Sequence, residues 1–481
     1  MKKLITVLLA IMMIAAMVVP TMAADGDAGS TVNVVGYSAD RVVAVESFDD
    51  MYCMSNYYDS PVDTAEYKIV DAADLVKFAS LVNSGDSFEG KTVYLQYDID
   101  MSSVENMDPI GKYAANPFKG TFDGQGHIID NLTIKVDGKQ SDVVNIGLFG
   151  NTVKATLKNF ILADGCEISY VHENNTFTNV RMAAVVGNMR GGTTIDNIYT
   201  AASVTGGNYV GGIAGFSDPG PGEDATDESL ARKITNCTQA GTIFAKTSRV
   251  GGIIGLVPAT VLTISNCRNT GSVTTDGTDT NWHAAGGFIG DCWGGLSLVI
   301  DGCINNGAVK GGSAGGFIGR IQMNVSITNS LNYGTTDASV VGGLVAKINN
   351  NGEVTNTGSE DKTQGDTPET DATLSTLPTV EADYPTAAEI EAAKNSNKKT
   401  EEPSGDTTQP GDTTTPGTDS TTTTAPADNN ETNAPETNAP ATTPALVEEE
   451  GGCASVVGCA SVALLALAAV APMVIRKKKE D

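Results

Sequence analysis

Between about residue 65 and residue 358 the apolar residues come in short runs, each ended within a few positions by Gly, Asn or Ser. Most runs are too short for a ten-residue helix, and many alternate apolar with polar residues, the period of a strand. One stretch breaks the rule. In YKIVDAADLVKFASLVNSG, Leu75, Phe78, Ala79 and Val82 share one helical face, Asp71 stands where an N-cap belongs, and Gly85 supplies a stop. It predicts a single helix, followed by an alternating strand from Thr92 to Ile99.

The short runs recur in phase. VGGIAG at Val210, VGGIIG at Val250, AGGFIG at Ala285 and Ala314, and VGGLVA at Val341 are copies of one unit, and NIGLFG at Asn145 and MAAVVG at Met182 are divergent ones. The copies end at Gly150, Gly187, Gly215, Gly255, Gly290, Gly319 and Ala346, in steps of 37, 28, 40, 35, 29 and 27 residues. A second element keeps step with the first. It is clearest as Ile234-Thr-Asn236-Cys237 and Ile264-Ser-Asn266-Cys267, and weaker at Ile129, Leu157, Ile195, Ile300, Ile327 and Val354. Gly241, Gly271, Gly307 and Gly334 follow five residues after the Asn position.

A phosphate-binding loop is used once per site, whereas this glycine pair is repeated; no GxxxxGK[ST] is present and no helical pattern follows the glycines. Repetition at a period near 30 is an architecture. Three short strands with turns make roughly one coil of a right-handed parallel β-helix, each coil adding about 4.8 Å along the axis. The expected fold class is therefore all-β: a solenoid with the Asp71 helix as its N-terminal cap. Ile129, Leu157, Ile195, Ile234, Ile264, Ile300, Ile327 and Val354 should form one inward column. The Asn positions should form a second at a corner, where Asn tolerates left-handed backbone and bonds to the adjacent coil. Cys237, Cys267, Cys303 and Ser330 should form a third. Insertions such as Asp218 to Ser229 would bulge from a turn without disturbing the stack.

These motifs resemble the GLUG-motif bacterial surface proteins. NIGLFG at Asn145 and VGGIIG followed by ISNCRNTGSV carry the likeness, with PIG at Pro109, FKGTFDGQGH at Phe118 and NLTI at Asn131 as entry coils. The resemblance covers about Tyr67 to Gly358 and implies a capped parallel β-helix; it implies no activity, because the repeat is a scaffold. The same repeat occurs upstream of some immunoglobulin-A-cleaving metalloproteases.

The ends read differently. MKK, the apolar run Leu4 to Val19 and PTMAAD have the form of a secretory leader, residues 1–24. Residues 25–64 form an N-terminal extension with strand-like runs at 31–35 and 41–45, ahead of the β-helix at 65–358. Residues 359–450 are rich in Thr, Pro and acidic residues, with ETNAP in tandem, the composition of a disordered stalk. Good helix formers from Pro385 to Lys394 are its one helical interlude. Gly451 to Ile475 carries no charge and is followed by Arg476-Lys477-Lys478-Lys479. At about 1.5 Å per residue its length spans a hydrocarbon core of about 30 Å, and the basic tail at 476–481 would stay cytoplasmic. No LPxTG-type sorting motif precedes it. The expected localisation is the cell surface, anchored by one transmembrane helix with the N-terminus outside.

Charge and chemistry refine this picture. A net charge of −28 argues against nucleic acid as a partner. Six cysteines, Cys53, Cys166, Cys237, Cys267, Cys292 and Cys303, lie outside the span, where disulfides can form. Side chains stacked in one direction favour free buried thiols instead, and no CxxC pair points to zinc. The histidines are His127, His172 and His283, and no HExxH occurs. No catalytic, cofactor-binding or metal-ligating residue is assigned. Asp98, Asp100 and the acidic insertion at 218–228 offer oxygens for calcium, but neither fits an EF-hand loop. Two functional readings remain. In the first, the head is a binding, adhesion or scaffold module for an extracellular glycan or protein, with Trp282, Trp293, Tyr209 and Tyr333 available to stack on sugars. In the second it is a polysaccharide lyase or glycosidase, with Asp291 and Asp301 as candidate carboxylates.

Overall fold

The computed structural model describes residues 48–49, 51–57, 64–138, 144–171, 179–220, 224, 227–258, 260–294, 296–349, 352–362 and 384–396. The expected leader, the runs at 31–35 and 41–45, His172, nearly all of the stalk and the apolar segment at 451–475 lie outside these residues. Among the described residues no helix is long and apolar enough to cross a membrane.

Among the described residues all strand pairings are parallel, and they fall into sheets of 18, 12 and 7 strands. The chain winds through the three sheets in turn, coil upon coil, from Tyr52–Cys53 to Glu360–Asp361. Parallel pairing thus extends one strand beyond each end of the range at 65–358. A full coil holds five short strands rather than the expected three. In one coil these are Arg232–Thr235, Thr238–Gln239, Thr242–Ala245, Arg249–Gly251 and Ile254–Val257. Corners at Asn236, Gly241 and the glycine pair break the apolar runs into these lengths.

The expected apolar column is present through its middle. Leu157 pairs with Ile195, then Ile234, Ile264, Ile300 and Ile327, and every one is fully buried. Its two ends require correction. Leu157 pairs backwards with Phe122, while Ile129 pairs with Leu162 in the next strip. The turn at 124–127 adds residues between the two strips of that coil and moves Ile129 along. Ile327 pairs forwards with Asn356, so Val354 belongs to the neighbouring column beneath Val325. A shift of two residues keeps every side chain on the same face of a strand, so alternation alone does not distinguish the registers. Gly358, at φ +70°, occupies the place beside Asn329.

The corner column is left-handed throughout. Asn159, Asn197, Asn236, Asn266 and Asn329 have φ between 49° and 58°, and Gly302 has 62°. Each asparagine amide reaches back to the preceding coil: Asn197 donates to Asn159 Oδ1 at 2.7 Å, Asn236 to Asp196 at 2.8 Å, and Asn329 to Asp301 at 2.9 Å. Asn266 is solvent-exposed and reaches Asn236 at only 3.5 Å, so its role is backbone conformation.

A buried polar file lies three residues further on. Asn269 donates to Asn305 and Asn305 to Asn332, both at 2.8 Å, and Asn332 donates to Asp361 at 3.0 Å. The three asparagines are fully buried. They explain the glycine pair. A methyl group on Gly287 would lie 2.5 Å from the Asn305 side chain and 2.1 Å from the Gly316 carbonyl, and one on Gly252 would lie 2.7 Å from the Asn269 side chain. The second glycine of the pair is thus the surface on which the asparagine file rests. The first and the last close the corner from outside: a methyl on Gly251 would meet the Ile254 carbonyl at 2.1 Å, and one on Gly255 the Val210 amide at 2.5 Å. These approaches exclude any Cβ.

The predicted helix, α1 (Ala72–Asn83), begins at Asp71, whose Oδ1 accepts from the Asp74 amide at 2.9 Å. Leu75, Phe78, Ala79 and Val82 are buried as expected. Phe78 sits 5.0 Å from Phe88 and 5.5 Å from Phe118, ring centre to ring centre, and seals the apolar interior at that end. Burial of such a ring contributes about 2–3 kcal/mol. The interlude in the stalk region is a second helix, α2 (Ala387–Asn395), with a capping box between Thr386 and Glu389. It returns to the capped end: Lys394 Nζ meets Asp71 at 2.5 Å, Asn56 donates to the Lys394 carbonyl at 2.9 Å, and Ala393 packs with Cys53 and Val70.

The six described cysteines are free and buried. In the column, the Cys237 amide donates to the Cys267 thiol and the Cys267 amide to the Cys303 thiol; Ser330 Oγ takes the same role for Cys303. Burial raises the Cys237 and Cys267 thiols well above the usual range, and burial beside Asp74 pushes Cys53 up to about 12.

Candidate functional site

Outside the glycine corner, strands of two sheets face each other, and their outward residues meet. Tyr209 packs on Phe216 at 5.4 Å, and Arg181 lies over the Phe216 ring at 4.1 Å. One coil on, Arg249 takes the place of Tyr209, and Leu256, paired with Phe216, pairs forwards with Asp291, which pairs with Arg320.

Asp291 is completely buried between two arginines. Arg249 Nε donates to Asp291 Oδ2 at 3.1 Å, Arg320 Nε to Oδ1 at 3.1 Å, and Arg320 Nη2 to Oδ2 at 2.5 Å. Arg249 Nη1 donates to Ser248 Oγ at 2.9 Å. Removing three ionic groups from water is costly, so such a triad is a weak source of stability.

Over the triad opens a cleft of about 530 Å³, lined by Arg249, Trp282, Trp293, Gly294, Arg320 and Gln322. Trp282 and Trp293 remain 57% and 43% exposed, far more than a packing role requires. Trp293 ends the strand Ile289–Trp293. Trp282 stands on residues 276–283, an insertion that neither neighbouring coil has. The preceding coil makes the same connection with residues 246–248, and the next runs straight through in the strand Val309–Gly315.

The insertion is held in place. Asp279 Oδ1 accepts from the amides of Asn281 at 2.7 Å and Trp282 at 3.1 Å, and these bonds hold its carboxyl below the usual range. Lys347 Nζ donates to Asn281 Oδ1 at 2.7 Å and Thr280 Oγ1 at 3.0 Å. The loop lies on Gly312, where a methyl would sit 2.5 Å from the Asp279 carbonyl. Arg249 then stacks on the Trp282 ring at 4.7 Å.

The residues singled out in the sequence are thus distributed unevenly. Trp282, Trp293 and Asp291 converge on the cleft, and Tyr209 joins its edge through Arg249 at 5.7 Å. Tyr333 is half-buried at another corner. Asp301 is in a different sheet, accepting from Thr328 Oγ1 at 2.6 Å and Asn329 at 2.9 Å. His127 bonds Asp98 at 3.0 Å within a turn whose Gln125 and Gly126 are left-handed. Arg249 and Arg320 were missed. Arg320 and Lys347 each stand four residues after the second glycine of their pair, whereas Arg249 stands two residues before the first glycine of its own.

No family model matches this chain. It is similar to Halomucin from Haloquadratum walsbyi, with 26% identity over 211 residues. That stretch is 41% of this chain and 2% of Halomucin, so the chain spans only a small fraction of its relative's length. Among solved structures it is similar to the crystal structure of a "putative immunoglobulin A1 protease" from Bacteroides ovatus. The identity is 19% and the TM-score 0.41, with 62% of this chain and 75% of the other covered.

Proposed function

We propose that this protein is an extracellular surface protein of the GLUG-repeat kind whose β-helix is a carbohydrate-binding module, with the Trp282–Trp293 cleft as its binding site. One observation carries the reading: two exposed tryptophans flank a single cleft, and one of them is presented by an insertion that neither neighbouring coil has. Indole faces bind the C–H face of a pyranose, while arginine and glutamine at the same cleft hydrogen-bond its hydroxyls. Similarity to part of Halomucin, the expected leader and the strong negative charge fit an outward-facing location. Binding is favoured over turnover, because both Asp291 oxygens are engaged by arginines and Asp301 lies in another sheet. The test is a polysaccharide panel probed with the full chain. Trp282→Ala and Trp293→Ala should each weaken binding about tenfold or more, the loss of roughly 1.4 kcal/mol of stacking, with an unchanged circular dichroism spectrum. Release of unsaturated sugar products would replace this reading with a lyase.

A further inference from the structure

We infer that the cleft selects an acidic sugar, a pyranose bearing a carboxylate. The inference rests on the carbohydrate-binding reading and names the class of ligand.

The argument is one of charge and unused donors. The triad holds two guanidinium groups and one carboxylate, so it carries a net positive charge in a chain whose overall charge is −28. Asp291 is fully buried beneath the cleft and both its oxygens are occupied, so it is not available to accept from a ligand. Arg249 Nη2 and Arg320 Nη1 have no hydrogen-bond partner among the described residues; the other donors of the two guanidiniums that are engaged go to Asp291 and Ser248. Both arginines line the cleft.

Asp291 fixes one edge of each planar group, and both arginines line the cleft. A carboxylate is the anion whose two oxygens match two N–H groups presented this way. The insertion carries Asp276 and Asp279; Asp279 is turned to its own loop's amides, and Lys347 bonds the same loop at Asn281. Arg249 is also stacked between Trp282 and Tyr209, at 4.7 and 5.7 Å, which fixes the guanidinium beside the surface on which a sugar ring would lie. A neutral glycan would offer those donors only hydroxyl oxygens, without the charge or the paired oxygens of a carboxylate.

The experiment compares polygalacturonate with its fully methyl-esterified form, two polymers of the same ring and linkage that differ in charge. Binding of the full chain is measured by isothermal titration in low and high salt. Polygalacturonate should bind at least tenfold more tightly than the ester at low salt, and added salt should weaken the acid but leave the ester within about twofold. Arg249→Lys keeps a charge but loses the planar fork, and should narrow the difference between acid and ester to less than about threefold. Equal affinity for acid and ester, with both lost in Trp282→Ala, would overturn the acidic selectivity and leave the carbohydrate-binding reading standing. Absence of binding to acid, ester and neutral panel alike would overturn both.

Discussion

Two files of asparagine run along this molecule, and they act through different physics. Asn266 and its equivalents hold left-handed backbone at an exposed corner, where alanine would cost about 1 kcal/mol through conformation alone. Asn305 is buried in a continuous amide ladder. Asn305→Ala removes the acceptor of Asn269 and of the Gly307 amide, and the donor to Asn332, leaving buried polar groups unmet at about 1–3 kcal/mol each. Chemical denaturation should therefore show Asn305→Ala losing about 3 kcal/mol and Asn266→Ala about 1; equal losses would contradict this division. The exposed file was legible in the sequence, because the IxNC spacing and the left-handed preference of Asn point to one corner. The buried file was also written there, two residues after each Cys or Ser, at Gln239, Asn269, Asn305 and Asn332. It went unassigned because a repeat shows which positions are equivalent and not which side of a corner faces inward.

At the scale of elements, local signals were readable and distant contacts were not. Helix α1 declared itself through its cap and apolar face. Helix α2 declared its composition but not its destination, since docking against residues more than 300 positions earlier leaves no periodic trace. Its attachment is polar, through Lys394 to Asp71, the Asn56 amide, and Lys68 to Ser396 Oγ at 2.7 Å. Lys394→Ala should remove about 1 kcal/mol of that attachment. Amide exchange across residues 387–395 should then accelerate about fivefold, while exchange in the central coils stays unchanged. Loss of protection throughout the β-helix would show instead that α2 is part of the core. The cleft was half legible in the same sense. Its tryptophans stood out as rare residues, whereas a step of 35 between steps of 40 and 29 did not mark the insertion at 276–283. Arg249, Asp291 and Arg320 lie on three different coils, and only the register brings them together.

At the scale of the whole molecule, stability is a sum over coils and the contacts between neighbours. The two ends are unequal. The first coils are sealed by α1, whereas the strands Thr336–Gly342 and Val345–Ile348 have only partly buried residues, with Val341 53% and Ile348 55% exposed. Native-state hydrogen exchange should show the lowest protection at residues 336–361, rising over the preceding coils, with the highest values near the Ile234–Ile300 column. A flat profile would mean that the coils open as a single unit.

The return of α2 has a geometric consequence for how such a body would be mounted. After finishing its last coil the chain doubles back, and it leaves the described structure at Ser396, beside the sealed first turns. Whatever follows in the polypeptide therefore sets out from beside that closed end. The tryptophan-bearing coil lies several coils along the stack from that exit, so the indoles and guanidiniums stand well apart from the point where the polypeptide departs.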